Sequence, residues 1–321
     1  MRHLIFSITY NIMSGLGQRQ RPIKQSKQLA SASVCSPSRD GLKHSCLTDS
    51  ELRTIAAMYN KETPLNKIPL AQFKSRRRLI ASLTNIFSEK CEGKGDHCWL
   101  QDPLIQSSSS LYTQLKDNYR PKMPSSWEKN KREWLNTGDI ISVMKQYVNK
   151  YPAFEFLGVF PVNFVKKDNT SSCIIREMCN FDINDLRSRG KSEFGLVCNL
   201  DRHDEPGSHW VSMFCSLDPT STKYGICYYD SNGQEPPADI AAFLKTVALQ
   251  VDDNSHFKVK YNPSRHQFAG TECGIFSMLL IILCLQNNKS SHRQIREMIH
   301  KLSDKSDNGI HAFRKKFYQS V

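Results

Sequence analysis

The chain has 321 residues and carries 44 Lys and Arg against 31 Asp and Glu, which gives it a net charge of +13 at neutral pH. Its hydrophobic content of 39% is enough for one large or two modest domains. A mean hydropathy of −0.50 indicates a soluble protein with no membrane partner, and the apolar stretch at residues 4–8 is interrupted too soon to act as a signal peptide.

The eleven cysteines show no repeating spacing. Because no signal peptide precedes them, this distribution favours free thiols in a reducing compartment over a disulfide scaffold. Cys91 and Cys98 lie close to His97, but their spacing fits no usual zinc pattern and only one side of a site is visible. The sequence therefore predicts no metal and no organic cofactor.

The positive charge is concentrated in the N-terminal part. Residues 1–132 contain 22 Lys and Arg against 10 Asp and Glu, whereas residues 133–321 contain 22 against 21. This asymmetry favours two units with different partners, and nucleic acid or acidic protein segments would suit the basic one. A solvated basic face is the alternative interpretation.

Residues 1–44 are rich in Ser, Gln, Arg and Lys, which predicts a disordered basic arm. Residues 45–130 predict a helical domain, because Thr48 and Glu51 form a capping-box pattern before a first amphipathic helix. Pro69 is predicted to open a second helix. The serine run at residues 106–110 predicts a linker.

Residues 131–321 are predicted to form a separate domain. Asp139 is predicted to begin an amphipathic helix, and another is predicted to start at Pro237. Strands are predicted at residues 194–200, 210–217, 225–229 and 257–261, and terminal helices at residues 295–302 and 310–317. Strands in the middle with helices on both sides predict an α+β fold.

Residues 273–285 are apolar on nearly every position and follow a loop of small residues. The run is too short to span a bilayer and predicts a buried helix that begins at Cys273. The partial positive charge of a helix N-terminus stabilises a thiolate, the reactive form of cysteine. A buried structural cysteine is the alternative interpretation.

Three other groups occur at the ends of predicted elements. His209 stands at the start of one strand and Asp230 at the end of the next, so an antiparallel pairing would bring both to one sheet edge. That is the geometry that a base and its orienting group require. The predicted catalytic residues are the nucleophile Cys273, the base His209, the orienter Asp230 and the oxyanion donor Gln267.

The order His-Trp, Asp and Gln-x5-Cys-Gly resembles that of the adenain-like cysteine proteases, a family that includes the proteases of SUMO and other ubiquitin-like proteins. The resemblance extends to the polyprotein-processing proteases of large DNA viruses, African swine fever virus among them. That branch also has a helical N-terminal arm and a Glu-Cys-Gly segment like residues 272–274. Its third catalytic residue is Asn, whereas this chain has Asp230, as the cellular members do. The similarity covers residues 134–285 and includes Trp-Leu-Asn at residues 134–136.

This resemblance implies an adenain-like core, a central mixed sheet packed by helices, together with a mainly helical N-terminal arm domain. It also implies cleavage after small residues, typically Gly-Gly, in a narrow tunnel. The tunnel tryptophans correspond to Trp134 and Trp210 here. Core packing is the alternative role for Trp134.

Two classes of function follow from these observations. The first is a viral cysteine endopeptidase that matures structural polyproteins in the host cytoplasm and virion, or a deconjugating protease for a ubiquitin-like modifier. The second is a basic, nucleic-acid-associated virion protein with an inactive protease-like fold. The complete set of four catalytic candidates favours the first.

Overall fold

The computed structural model describes residues 34–72, 75–91, 95–167, 171–251, 256–303 and 305–319. Residues 32–321 cluster as one unit. Residues 1–33 of the predicted basic arm lie outside the described part of the chain. The predicted domain boundaries near residues 45 and 131 stay predictions.

Short helices around an apolar cluster make up the N-terminal part. They are α1 at Asp49–Glu62, α2 at Arg76–Ile86, α3 at Ser88–Cys91, α4 at Pro103–Gln106 and α5 at Ser109–Lys116, with 3-10 turns at Pro37–Arg39, Leu70–Gln72, Asp96–Gln101 and Ser125–Glu128. The predicted capping box of α1 is confirmed: the Thr48 side chain accepts from the Glu51 N–H, and the Glu51 carboxylate accepts from the Thr48 N–H. The buried face of this helix packs into a cluster that includes Trp99.

Two predictions for this part are wrong. The predicted start of the second helix is wrong: Pro69 precedes only the 3-10 turn at Leu70–Gln72, and α2, which carries the predicted apolar face, begins at Arg76. The serine run is not a linker, because Ser108 caps α5 and its hydroxyl accepts from the Leu111 N–H at 3.4 Å. Serine is common both in linkers and at helix caps, so composition alone does not separate the two.

The remaining elements follow from residue 137 onward. The helices are α6 at Thr137–Lys150, α7 at Arg176–Cys179, α8 at Ile183–Ser188, α9 at Ala238–Leu249, α10 at Cys273–Gln286, α11 at His292–Leu302, α12 at Asn308–His311 and α13 at Arg314–Phe317. The strands are β1 at Phe154–Pro161, β2 at Glu193–Asn199, β3 at Trp210–Ser216, β4 at Gly225–Tyr229 and β5 at Lys258–Tyr261. The predicted α+β fold is confirmed. The helix predicted at residues 310–317 consists of two short helices, α12 and α13.

The five strands form one mixed sheet in the order β1-β2-β3-β4-β5. β1 and β2 are parallel, β2–β3 and β3–β4 are antiparallel, and β4 and β5 are parallel. The sequence analysis missed β1. Its pairing shifts register between Phe156 and Gly158, and this irregularity breaks the alternation by which a strand is recognised.

Helix α10 is the central helix of the fold. It packs against β3 and also contacts α6 and α11. All its residues from Cys273 to Leu285 are buried, which explains why its sequence is apolar on every side. Within the described ranges, no helix is long and apolar enough to cross a membrane.

The expectation of free thiols throughout is wrong. Six of the eleven cysteines pair as Cys35–Cys46, Cys91–Cys98 and Cys173–Cys179. Each bond joins cysteines that are 6 to 11 residues apart and staples a local loop. The sequence showed no repeating spacing because these bridges are local and independent.

Candidate active site

The edge where β3 begins and β4 ends carries the predicted base and its orienter. The two strands pair antiparallel with Ser212 opposite Tyr229, so the residues just beyond each end, His209 and Asp230, come together. His209 Nε2 lies 2.7 Å from Asp230 Oδ1. The side chain of Asp230 is 1% exposed, so the contact is shielded from water. The structure thus brings these two predicted residues into direct contact.

The turn after β4 fixes the orientation of Asp230. The backbone N–H of Asn232 donates to Asp230 Oδ1 at 2.7 Å, and the Asn262 side chain donates to the Asp230 carbonyl at 2.8 Å. Gly233 completes the turn at a φ of 75°, where an added Cβ would lie 2.6 Å from the Ser264 carbonyl carbon. Only glycine fits this position without displacing backbone.

Cys273 is the first residue of α10, as predicted. Its backbone N–H belongs to the first turn of the helix, where N–H groups have no partner within the helix. The residue is 2% exposed, and its thiol lies close enough to the His209 ring to help raise the pKa of that ring. His209 therefore interacts with both the predicted nucleophile and the predicted orienter.

The charge state of His209 follows from these contacts. Burial of the ring disfavours its cation, but the hydrogen bonds with Asp230 and Cys273 and the negative charges of both groups raise the pKa of His209 to about 9. Since Nε2 is engaged by Asp230, Nδ1 is the ring nitrogen that remains for proton exchange with the thiol. The arrangement favours an imidazolium at neutral pH.

The other free thiols are in a different environment. Cys198, Cys215, Cys227 and Cys284 are fully buried. Burial raises the pKa of each of these thiols above the ordinary value. They pack the core and are held protonated.

Gln267 lies in the loop that leads to Cys273 and is 4% exposed. The Ser231 hydroxyl donates to its Oε1 at 2.7 Å, and its Nε2 donates to the Ala269 carbonyl at 2.7 Å. An amide nitrogen carries a second hydrogen, which remains for another acceptor. The Ser231 contact fixes which way the amide points, and it ties the loop to the turn that holds Asp230.

The two predicted tunnel tryptophans are joined through Leu135. The indole N–H of Trp210 donates to the Leu135 carbonyl at 2.9 Å, and Trp210 itself is 8% exposed. Trp134, the neighbour of Leu135, is 46% exposed. An added Cβ at Gly274 would lie 2.8 Å from Leu135 Cδ1, so the nucleophile helix and this segment are in close contact. The exposure of Trp134 speaks against a role in core packing.

Sequence reasoning missed three polar residues around this site. Ser231 holds Gln267, Glu272 is fully buried next to Cys273, and Asp307 accepts from the backbone of the loop at Phe268. A polar turn after Asp230 and an acid just before Cys273 are visible in the sequence. Their buried contacts depend on chain segments that are distant in sequence, and no local pattern indicates them.

The cysteine and histidine grouping at residues 91–98 does not form a metal site, because Cys91 and Cys98 are bonded to each other. Across the part of the chain that the structure describes, no cluster of three or more His, Cys, Asp or Glu side chains could hold a metal ion.

Comparison with known proteins decides the family. A protein of Acanthamoeba polyphaga mimivirus, named as a thiol protease, is 30% identical over 273 residues, which cover 78% of this chain and 84% of the relative. The chain belongs to the adenain-like cysteine protease family. No model in a library of protein families matches the chain.

A cysteine protease of African swine fever virus is 34% identical over 102 residues, which cover 31% of this chain and 36% of the relative. Its counterpart in another isolate is named a SUMO-1 cysteine protease. The crystal structure of the African swine fever virus protease superposes with a TM-score of 0.60 and 19% identity, over 91% of this chain and 97% of that one. That likeness shows the fold of this adenain-like protease, including its helical N-terminal part.

This adenain-like chain is therefore a cysteine protease, a hydrolase of the viral thiol-protease type. Its named relatives are virus proteins.

Proposed function

We propose that the protein is a cysteine endopeptidase in which Cys273 is the nucleophile, His209 the general base and acid, and Asp230 the orienter of the ring. The observation that carries the proposal is the position of His209, which is bonded to Asp230 at 2.7 Å and lies close enough to the Cys273 thiol for that thiol to help raise its pKa. A nucleophile, a base and a third group in this order form the arrangement that thiol catalysis needs.

Acylation begins after the proton of the Cys273 thiol has moved to the His209 ring. The thiolate attacks the carbonyl carbon of the scissile peptide bond and forms a tetrahedral intermediate. His209 then gives its proton to the amine as the carbon–nitrogen bond breaks, which leaves a thioester on Cys273. Asp230 keeps the ring in the required tautomer and stabilises its cation throughout.

Deacylation reverses these roles. His209 takes a proton from water, the resulting hydroxide attacks the thioester, and the thiol regains its proton as the acid product leaves. We assign the oxyanion to the Cys273 backbone N–H at the start of α10 and to the second amide hydrogen of Gln267. One such donor is commonly worth about 3 kcal/mol of barrier.

We assign substrate selection to Trp134 and Trp210. The exposed indole of Trp134 lies on the segment that touches the nucleophile helix through Leu135, and the indole of Trp210, on β3, donates to the Leu135 carbonyl. Aromatic planes that close over an extended chain leave space for glycine and exclude larger side chains. Sites with Gly, or another very small residue, at both positions before the scissile bond are the proposed targets.

The proposed role is maturation of structural polyproteins in the host cytoplasm and the assembling virion. The viral relatives support this setting. Deconjugation of a ubiquitin-like modifier is the second candidate. It is favoured by the name of the African swine fever virus relative, a SUMO-1 cysteine protease, and by the Gly-Gly ends that such modifiers carry.

The basic N-terminal part has a separate proposed role, the binding of nucleic acid or acidic protein segments. A cavity of about 560 Å³ lies between this part and α6, and it is lined by one carboxylate, Asp117, and by the cationic side chains of Lys116, Arg120, Lys122 and Lys145. Titration of duplex DNA and of a poly-Glu peptide at two salt concentrations tests the role, since phosphate binding weakens steeply with salt. Charge reversal of the three lysines should remove the binding, and unchanged affinity would reject this site.

Cleavage of a protein substrate that contains a Gly-Gly-X site tests the main proposal. The wild-type protein should cut after the second glycine, and Cys273→Ala should not. Cys284→Ala, a fully buried thiol later in the same helix, is the matched control and should retain cleavage. A folded wild-type protein that cuts no Gly-Gly substrate would support the inactive-scaffold alternative instead.

A further inference from the structure

A buried carboxylate stands next to the nucleophile. Glu272 is fully buried, and its Oε2 accepts from Arg314 Nε at 2.9 Å. Its Oε1 pairs with His311 Nδ1 at 2.9 Å and lies 3.8 Å from Arg132. A buried carboxylate without such partners would be costly, and one adjacent to Cys273 would also oppose thiolate formation. The surrounding cations offset both effects.

A second buried carboxylate belongs to the C-terminal segment and contacts the loop before Cys273. Asp307 is fully buried, and its Oδ2 accepts from the backbone N–H groups of Phe268 at 2.9 Å and Ala269 at 2.7 Å. Its φ is 55°, in the left-handed region that non-glycine residues seldom adopt. Asp307 thus holds the loop directly after Gln267, whose amide donates to Ala269.

These two contacts bracket the loop at residues 267–273. Asp307, in the C-terminal segment, accepts from the backbone of the loop. Glu272, in the loop, accepts from Arg314 in the C-terminal segment. We call residues 307–319 the C-terminal clamp. The chemistry assigned to Gln267 and Cys273 depends on the positions that these two contacts fix.

The clamp is itself anchored to the N-terminal part. The Arg314 guanidinium lies 4.4 Å from the ring centroid of Trp127. The Gln319 backbone N–H donates to the Pro121 carbonyl at 2.9 Å, and its carbonyl accepts from the Met123 N–H at 3.1 Å. The clamp therefore links residues 121–127 to the nucleophile loop by continuous contacts.

We propose that Glu272 and Asp307 are positioning residues of the active site, and that the C-terminal clamp sets the geometry of the nucleophile loop. Neither residue takes part in the chemistry. This inference rests on the proposed function, because the positions that the clamp fixes matter for turnover only if Cys273 and Gln267 are catalytic.

The test compares Glu272→Gln and Asp307→Asn with Glu51→Gln. Glu51 is a matched control because it is also a buried carboxylate, bonded to Arg39 at 2.9 Å and to Asn118 at 3.0 Å, in the N-terminal cluster. Each variant is assayed well below its own unfolding temperature. We expect kcat on a Gly-Gly peptide to fall roughly tenfold or more in the two clamp variants, with KM changed less than about twofold. The control should keep kcat even where its unfolding temperature drops.

Equal kcat in all three variants at equal folded fraction would overturn the proposal. A double variant guards against simple misfolding: Arg314→Met removes the partner of Oε2 of the buried Glu272 carboxylate, so adding Glu272→Gln should restore part of kcat. No restoration in a folded double variant would also count against it.

The rate at which iodoacetamide alkylates Cys273 gives a readout that does not need peptidase activity. It should fall several-fold in Asp307→Asn and stay unchanged in Glu51→Gln. If the wild-type protein is alkylated at Cys273 but cuts no peptide, the proposed function is refuted. The alkylation rates of the variants then still test the clamp. An alkylation rate that is the same in both variants refutes the clamp.

Discussion

The indole nitrogen of Trp210 donates a hydrogen bond of 2.9 Å to the carbonyl of Leu135, and this bond ties the strand that follows His209 to the segment that carries Trp134. The side chain of Leu135 in turn lies against Gly274, next to Cys273. Leu135 therefore connects the segments that carry the proposed base, the proposed nucleophile and the substrate-selecting Trp134, although it has no polar side chain.

A first prediction concerns this contact. Gly274→Ala would place a Cβ 2.8 Å from Leu135 Cδ1 and 3.1 Å from its Cβ, so the leucine must move and the Trp134 segment with it. We expect kcat/KM on a Gly-Gly peptide to fall roughly tenfold. Adding Leu135→Ala should recover part of the loss. Gly270→Ala is the control, because its Cβ would meet no atom within 4 Å. A larger loss in the control than in Gly274→Ala would contradict this account.

A second prediction separates the roles of His209 and Asp230. His209→Ala should be as damaging as loss of Cys273, since residues that act as a unit are not additive. Asp230→Asn should be milder, because the amide oxygen can still accept from the ring. Steady-state kinetics on one peptide, with circular dichroism to confirm folding, measures both. If Asp230→Asn were as inactive as His209→Ala, the carboxylate charge itself would be required.

Much of this site was predictable from the sequence because its residues occupy the ends of regular elements. His209 and Asp230 flank strands whose apolar patterns are clear, and Cys273 opens a helix that is apolar throughout. Glu272 and Asp307 were not predictable, since the partners named above are 38 or more residues away in the chain. The disulfides and β1 were missed because no local periodicity marks them.

A third prediction is the pH dependence of stability. The pKa of His209 is about 9 in the folded protein, above its ordinary value of about 6.5. A raised pKa means that the imidazolium stabilises the fold fully below about pH 6.5 and that this contribution is lost as the pH rises through about 9. The unfolding temperature of the wild type should therefore exceed that of His209→Gln at pH 6 and approach it above pH 9. A difference that grows with pH would contradict the assignment.

The same pKa predicts the alkaline limit of catalysis. The imidazolium must protonate the leaving amine, so kcat/KM should fall as the pH rises past about 9. Asp230→Asn removes one of the interactions that raise the pKa of His209 and should move this fall to lower pH. A pH–rate profile of both proteins measures the shift, and identical descending limbs would mean that Asp230 does not act on His209.

A fourth prediction concerns specificity. Because the indole of Trp134 is 46% exposed beside the nucleophile helix, Trp134→Ala should lower kcat/KM for Gly-Gly sites and relax the exclusion of larger residues before the scissile bond. Leu249→Ala, an exposed apolar residue at the end of α9, is the control and should change neither. Cleavage of a peptide library by the wild type, Trp134→Ala and Leu249→Ala measures which residues each protein accepts before the scissile bond. Acceptance of a bulky residue immediately before the bond by the wild type would rule out the tunnel.

The most direct measurement is covalent labelling by a peptide vinyl sulfone that ends in Gly-Gly, followed by mass spectrometry of the labelled peptide. The account predicts one adduct, on Cys273, formed rapidly by the wild type and much more slowly by His209→Ala, with Cys198, Cys215, Cys227 and Cys284 unlabelled because they are fully buried. An adduct on another cysteine, or labelling of Cys273 at the same rate with and without His209, would contradict it.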